Sequence, residues 1–500
     1  MRGAPFSLLP LLFFSFHSLL VSAVQLRIQR PSHASSATNN NLINKNNERY
    51  TANITISGRV VNVALDTGST DLWVMPPEGL PTFNDTKLNA TLRYGDGTDY
   101  VTGDVGVGKF ELAQYTIPFQ AFLNVFDAAS AEDPDFQDGI FGLWGLGFNT
   151  PGSSGVNDAV QEAYGANQNW GQSVLANIFD QNPTGSDYIG ISLSRTGDQE
   201  GTADASLTIS EYDSDYASVQ SAPKLTQFPA NSGAWTVVLD ALVAGGKKLD
   251  WQTTMATAPA GKNVVHLDTG TTNVMVPGYV VDAIYSSIPG AVLTSDFYVP
   301  ATKFSTTNDV WVVPCNATVE MQAVFGGQNF SIHPLDLTDI QTLVSPDGTR
   351  NYTVCVGTFT DVGTIVDGAS DALFGDSFLR NVYSVFDFGT GGSTKGNPFV
   401  QLLSNTDATK SAADLVSVRK QTMASLPAEV APIELVMIMN GTKTAGKTGS
   451  PIGGGNGGSS SGSGSSGSSG SSGNSNVAFT SSASVASMVS LVVAVLFWSS

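Results

Sequence analysis

Asp-Thr-Gly occurs twice in this chain, and both copies sit in the same setting. One apolar run, Val61 to Leu65, delivers Asp66-Thr67-Gly68-Ser69-Thr70, and a second, Leu72 to Met75, leads to Pro76. The other copy runs Val264-Val265-His266-Leu267, then Asp268-Thr269-Gly270-Thr271-Thr272, then Val274-Met275-Val276-Pro277. A single copy would be an ordinary surface turn. Two copies with the same flanks imply two related halves, each presenting one carboxylate. Asp is a poor strand residue and Gly permits close backbone approach. Each Asp is therefore expected on a loop held between rigid strands, where chemistry-bearing groups are often placed.

Two such loops meeting across a pseudo-dyad bring two carboxylates together. Like charges that close cannot both ionise, so the pair holds one proton between limits set by the pair. One member is then a base able to activate water, and the other an acid able to protonate a carbonyl or a leaving amine. This chemistry requires no metal, no cofactor and no covalent intermediate.

Other segments carry a resemblance. Tyr94-Gly95-Asp96-Gly97, Asp71-Leu72-Trp73-Val74, Asp138-Gly139-Ile140-Phe141-Gly142-Leu143, Leu373-Phe374-Gly375-Asp376 and Tyr383-Ser384-Val385-Phe386-Asp387 join the two Asp-Thr-Gly loops in resembling a pepsin-family (A1-type) aspartic endopeptidase over residues 50–404. The resemblance implies a mainly β, bilobal acid-protease fold, with two β-barrel-like lobes related by a pseudo-dyad and a cleft between them. Its N-terminal lobe would be residues 50–228 and its C-terminal lobe 229–404. It implies that Asp66 and Asp268 form the dyad and that Thr67 and Thr269 lock the loops together. Ser69 and Thr271 would bond the outer carboxylate oxygens, and Gly68 and Gly270 would keep the floor of the dyad open. Tyr94, Gly95 and Asp96 would belong to a flap over the bound peptide, with Trp73 hydrogen-bonding the flap Tyr. Asp96 would help accept a basic residue before the cut. For Trp73 and Phe141, core packing competes with substrate contact. Expected partners are polypeptide substrates and pepstatin-type inhibitors, bound by a monomer.

Three departures from that pattern bear on specificity. Tyr94 follows Asp66 by only 28 positions, and no Cys stands in this half. A disulfide-closed loop is therefore missing, and one wall of the cleft is expected to be more open. His266 replaces an aliphatic residue and either faces a primed-side pocket or packs in the sheet. Trp144 stands where smaller residues are common.

Composition limits the alternatives. A net charge of −20 with 23 Lys and Arg argues against nucleic acid and anionic membranes as partners. Residues 1–23, with Arg2, an apolar run from Leu8 to Leu20 and Val21-Ser22-Ala23, read as a secretory signal. Residues 24–49, with Arg27, Arg30, Lys45 and Arg49, read as a short basic propeptide. The lone pair Cys315 and Cys355 reads as one disulfide made in an oxidising compartment, where the resemblance also places one. Seven Asn-x-Ser/Thr sequons follow: Asn53, Asn84, Asn89, Asn316, Asn329, Asn351 and Asn440. Asn53 falls within an expected strand.

Beyond Ser404 a stalk is expected over residues 405–476, dominated by Gly and Ser from 441. As a coil that Gly/Ser part would span about 30 Å. A spacer, Val477–Ser487, and an apolar tail, Met488–Trp498, follow, with no basic residue behind them. This pattern resembles a GPI-attachment signal over residues 477–500, with Gly473 or Asn474 as attachment site and a lipid-anchored extracellular location. A short transmembrane tail is the alternative, although the apolar stretch is brief for one.

Two functions outside proteolysis compete. A silent pepsin-fold protein displayed on a stalk would not need both Asp-Thr-Gly loops, the flap Tyr and its Trp. A glycosidase also uses two carboxylates, but it gives no reason for duplicated loops.

Overall fold

The computed structural model describes residues 43–45, 47, 49–95, 97–129, 139–166, 168–195, 205–294, 309–345, 348–363, 370–390 and 396–440, together with the strand backbones at 24–27, 298–299 and 304–305. The expected leader at 1–23, most of the expected propeptide and the Gly/Ser segment with its apolar tail fall outside these residues, as do Asp96, Asp138, Gly473 and Asn474.

The fold is mainly β, as the resemblance implies. Apolar alternation around Val105–Phe126 becomes the long hairpin Asp99–Leu112 and Tyr115–Ala128. The helical patterns become Gly155–Tyr164, Val174–Phe179 and Gly278–Tyr285. In the first half, eight strands form one sheet, and strand Arg49–Ile56 also pairs with Asp99–Leu112, closing a barrel. In the second half, the strands around Asp268 form a five-stranded sheet, beside two four-stranded sheets. A six-stranded sheet joins the halves, with Tyr188–Ser192 paired to Val382–Asp387 at its middle. One of its two outer strands is Val24–Arg27, inside the expected propeptide, paired with Ser206–Ile209.

The two halves build their Asp loops in the same way. Strand Arg59–Asp66 runs parallel to Gly142–Gly145, which is antiparallel to Leu72–Val74. Strand Asn263–Leu267 runs parallel to Ala372–Phe374, which is antiparallel to Val274–Val276. Each Asp loop is thus held between two strands that share a third strand threaded between them. Both threaded strands are fully buried, which explains their apolar runs without alternation.

Cys315 and Cys355 are joined, with Cα atoms 5.1 Å apart and both residues buried. Among the sequons, Asn84, Asn89, Asn316, Asn329 and Asn351 are exposed. Asn53 is half-buried in its strand, where its Oδ1 accepts from Asn62 at 3.1 Å. Asn440 ends the helix Pro432–Asn440.

The segment expected as the first part of the stalk differs from that reading. Ala408–Met423 and Pro432–Asn440 are helices packed on the C-terminal half. Leu435 is fully buried in a cluster with Val312, Leu343, Val354 and Val356. Thr353 receives the connecting chain, its N–H donating to Ala428 O and its hydroxyl to Pro427 O. Among the described residues no helix is long and apolar enough to cross a membrane.

Candidate active site

The two Asp-Thr-Gly loops meet back to back. The Thr67 N–H donates to Thr269 Oγ1 and the Thr269 N–H to Thr67 Oγ1, both at 3.0 Å. The same hydroxyls donate across the interface, Thr67 Oγ1 to Leu267 O at 3.1 Å and Thr269 Oγ1 to Leu65 O at 2.9 Å. A threonine hydroxyl both donates and accepts, so two side chains here make four bonds. All of them are buried.

The carboxylates are held symmetrically as well. Gly68 N–H donates to Asp66 Oδ1 and Gly270 N–H to Asp268 Oδ1, each at 2.8 Å. Ser69 Oγ donates to Asp66 Oδ2, and Thr271 Oγ1 to Asp268 Oδ2 at 2.6 Å. Each carboxylate lies against the glycine of the other loop. A Cβ at Gly68 would stand 2.6–2.9 Å from the Asp268 carboxyl, and one at Gly270 would collide with the Asp66 carboxyl. Only glycine leaves the two acids this close.

Asp66 and Asp268 are both fully buried. Burial, followed by the charge of Asp268, holds the Asp66 carboxyl well above the usual carboxylate range, against the pull of Ser69 and Gly68. The pair therefore resists losing its last proton.

Tyr94 ends strand Asn84–Tyr94, and Gly95 follows with φ of 61°. Its ring is buried in a cluster with Trp73, Leu123 and Leu143. Burial and then the charges of Asp71 and Asp66 push its hydroxyl well up, with a smaller opposing pull from a hydrogen bond with Trp73. Tyr94 is thus a neutral hydroxyl at any acid pH. Phe141 is only partly buried against the main core, whereas Trp144 is fully buried edge-on to Phe110.

His266 is buried between Thr236 and Leu373 of the neighbouring strands, and among the described residues its Nε2 has no hydrogen-bond partner. Burial lowers its pKa, although the charge of Asp268 works the other way. Of its two open readings, packing within the sheet is the one this position matches.

Sequence reasoning missed two supporting groups. Asp71 caps the helix Gly155–Tyr164, accepting from Ser154 Oγ at 2.6 Å, Gly155 N at 2.9 Å and Val156 N at 3.2 Å. Burial pushes its carboxyl up to about 6 despite these donors. Asp71 was visible only as a neighbour of Trp73, because the residues it caps lie more than 80 positions later. Arg49 donates from Nη1 to Thr272 Oγ1 at 2.8 Å, across 223 positions. Among the described residues no three His, Cys, Asp or Glu side chains are arranged to hold a metal ion.

Comparison with known proteins identifies the family. The family model for eukaryotic aspartyl proteases matches residues 49–392. A probable aspartic-type endopeptidase CTSD of Arthroderma benhamiae is 27% identical over 377 residues, covering 71% of this chain and 63% of that protein. The aspartic-type endopeptidase ctsD of Aspergillus fumigatus is 26% identical over 384 residues, covering 73% and 68%. A probable vacuolar protease A of Trichophyton verrucosum is 26% identical over 389 residues, covering 73% and 82%. The chain thus spans 63% of the length of the Arthroderma benhamiae relative. The matched region contains both Asp-Thr-Gly loops and most of both halves, and the chain belongs to the eukaryotic aspartyl protease family.

Proposed function

We propose that this chain is an aspartic endopeptidase that hydrolyses peptide bonds in acid through Asp66 and Asp268. The observation that carries the reading is the symmetric cradle: two carboxylates, each bonded by its own loop and each set against the opposite glycine. With one proton shared and written on Asp66, the ionised Asp268 takes a proton from water as its oxygen attacks the substrate carbonyl carbon. Asp66 gives its proton to the carbonyl oxygen. The tetrahedral diol then collapses, the C–N bond breaks, and the proton held by Asp268 passes to the leaving amine. The diol's own hydroxyl proton returns to Asp66, and the dyad is ready again. Tyr94, Gly95 and Asp96 are assigned to the flap, with Trp73 supporting Tyr94.

The reading extends to location. The leader-like N-terminus, the Cys315–Cys355 disulfide and the five exposed sequons support passage through the secretory pathway. The C-terminal signal is assigned to a GPI anchor at the cell surface, on its sequence pattern.

The test is digestion of a denatured protein from pH 3 to 7 by the secreted chain ending after Asn440, with and without pepstatin, beside Asp66→Asn. Acid-dependent cleavage abolished by both is expected, with kcat lower by at least about a thousandfold in the variant. A folded protein that neither cleaves nor binds pepstatin would overturn the reading in favour of a silent, displayed pepsin fold.

A further inference from the structure

Behind the Asp268 loop lies a carboxylate that the reaction above does not use. Asp376 opens the short helix Asp376–Leu379 and is fully buried, and among the described residues neither of its oxygens accepts a hydrogen bond. Its N–H donates to Thr271 O at 2.8 Å. Ser377 donates to Thr272 O through both its N–H and its hydroxyl, each at 3.0 Å. The start of this helix is therefore stitched to the loop that carries Asp268.

A buried carboxylate without donors is costly to ionise unless a cation stands near it. Burial holds the Asp376 carboxyl well above the usual carboxylate range; Arg380 and then Arg49 pull it down, while Asp268 and Asp66 push it further up. The Tyr50 phenol also lies within its field. Arg380 is anchored by Nε on Asp336 Oδ1 at 2.7 Å and Nη1 on Asn47 O at 2.8 Å, and its Nη2 reaches Ser377 Oγ, next to Asp376, at 3.5 Å. Arg49 is engaged at the site itself. It begins strand Arg49–Ile56, and its Nη1 reaches Thr272 Oγ1 at 2.8 Å. One guanidinium thus holds the edge of the catalytic loop and acts on the carboxylate packed behind it.

We propose that Arg49 is a positioning residue of the active site, fixing Thr272 beside the Asp268 loop and placing a positive charge behind the dyad. The proposal rests on the endopeptidase reading. It has a consequence for maturation, because sequence reasoning placed Arg49 last in a removable propeptide. The working enzyme must instead retain Arg49, so processing has to occur upstream of it.

Removing the cation makes every nearby carboxylate harder to ionise, which moves both limbs of the pH profile upward. Lysine keeps the charge but loses the planar fork that reaches Thr272. The test measures kcat/KM on one peptide from pH 2.5 to 7, using the full chain as wild type, Arg49→Met and Arg49→Lys. Arg49→Met is expected to shift both limbs up by at least about 0.3 pH unit. Arg49→Lys should leave the limbs in place while kcat falls about threefold. N-terminal mapping of the active wild type by mass spectrometry should find Arg49 present.

Unmoved limbs in Arg49→Met, with only the amount of folded protein reduced, would overturn the proposal. So would a fully active enzyme beginning at Tyr50 or later. If Arg49→Met does not accumulate, the Arg49→Lys profile and the mapped N-terminus decide. A wild type that neither cleaves nor binds pepstatin defeats the endopeptidase reading itself, and this proposal with it.

Discussion

Thr67 and Thr269 each spend one hydroxyl on two bonds, accepting from the opposite loop's N–H and donating to its backbone carbonyl. Such a lock works only if both halves supply the same residue at the same place, so its sequence trace is the duplicated Asp-Thr-Gly itself. His266 has no such reciprocity. Its buried Nε2 lacks a partner among the described residues, and an unsatisfied buried polar atom costs about 1–3 kcal/mol. His266→Val is therefore expected to be neutral to mildly stabilising at pH 7. The gain should grow in acid. The unfolded His takes a proton at about pH 6.5, whereas burial depresses the pKa of the folded one. Between those values the unfolded chain binds more protons, so the wild type loses stability as pH falls through that window. Denaturation of both proteins at pH 7 and pH 5 checks this, and a gap that stays constant between them would show that His266 is not held neutral. The sequence marked His266 as unusual but could not choose its environment, because Thr236 and Leu373, its neighbours across the sheet, come from distant segments.

At the scale of elements, the strands that flank the Asp-Thr-Gly loops were legible and the C-terminal helices were not. Strands such as Asn263–Leu267 are short, apolar and bounded by turn residues, a pattern that marks buried strands locally. In the helix Ala408–Met423 the buried stripe is Ser411, Leu415 and Arg419, spaced by four but hardly apolar. Arg419 is buried because Thr338 receives it, with Nη2 at 2.9 Å from both the carbonyl and the hydroxyl of that residue. Glu429, between the two helices, accepts from the N–H of Cys315 at 2.8 Å. These partners lie far away in sequence, so composition alone assigned the region to a stalk. The folded unit therefore extends past Ser404 to about Asn440. Leu435→Ala is expected to cost about 2–4 kcal/mol, since the side chain is fully buried. Met437→Ala, two residues along and 50% exposed, should cost under about 0.5 kcal/mol. Urea titration of both variants makes the comparison. Equal, small losses would mean that these helices do not belong to the folded unit.

Across the whole molecule, one buried ionic cluster ties distant segments together. Asp336 receives Arg195 Nε at 2.7 Å, Arg380 Nε at 2.7 Å and Asn381 Nδ2 at 2.9 Å. Arg380 continues to Asn47 O, and Thr406 donates to Asn381 Oδ1 at 2.6 Å. The cluster therefore joins the N-terminal strands, the link between the halves, the C-terminal half and the start of the C-terminal helices. No local pattern announces it, because Arg195 and Asp336 are 141 positions apart. Burial alone would raise the Asp336 carboxyl, but the guanidiniums of Arg195 and Arg380 outweigh it and bring it down to about 2. The free carboxylate titrates near 3.9. The ion cluster thus contributes stability that is complete above about pH 4 and is lost as pH falls through 2, which leaves it largely intact where an acid protease works. Neutralising Asp336 leaves two buried guanidiniums without their anion, a change that costs about 3–5 kcal/mol. Asp336→Asn is accordingly expected to lose that much stability at pH 5. The deficit should narrow below about pH 3, where the wild-type carboxyl itself begins to take a proton. Urea denaturation from pH 5 down to 2 measures both quantities. A deficit that does not shrink toward pH 2 would mean that packing, not the charge of Asp336, holds these segments together.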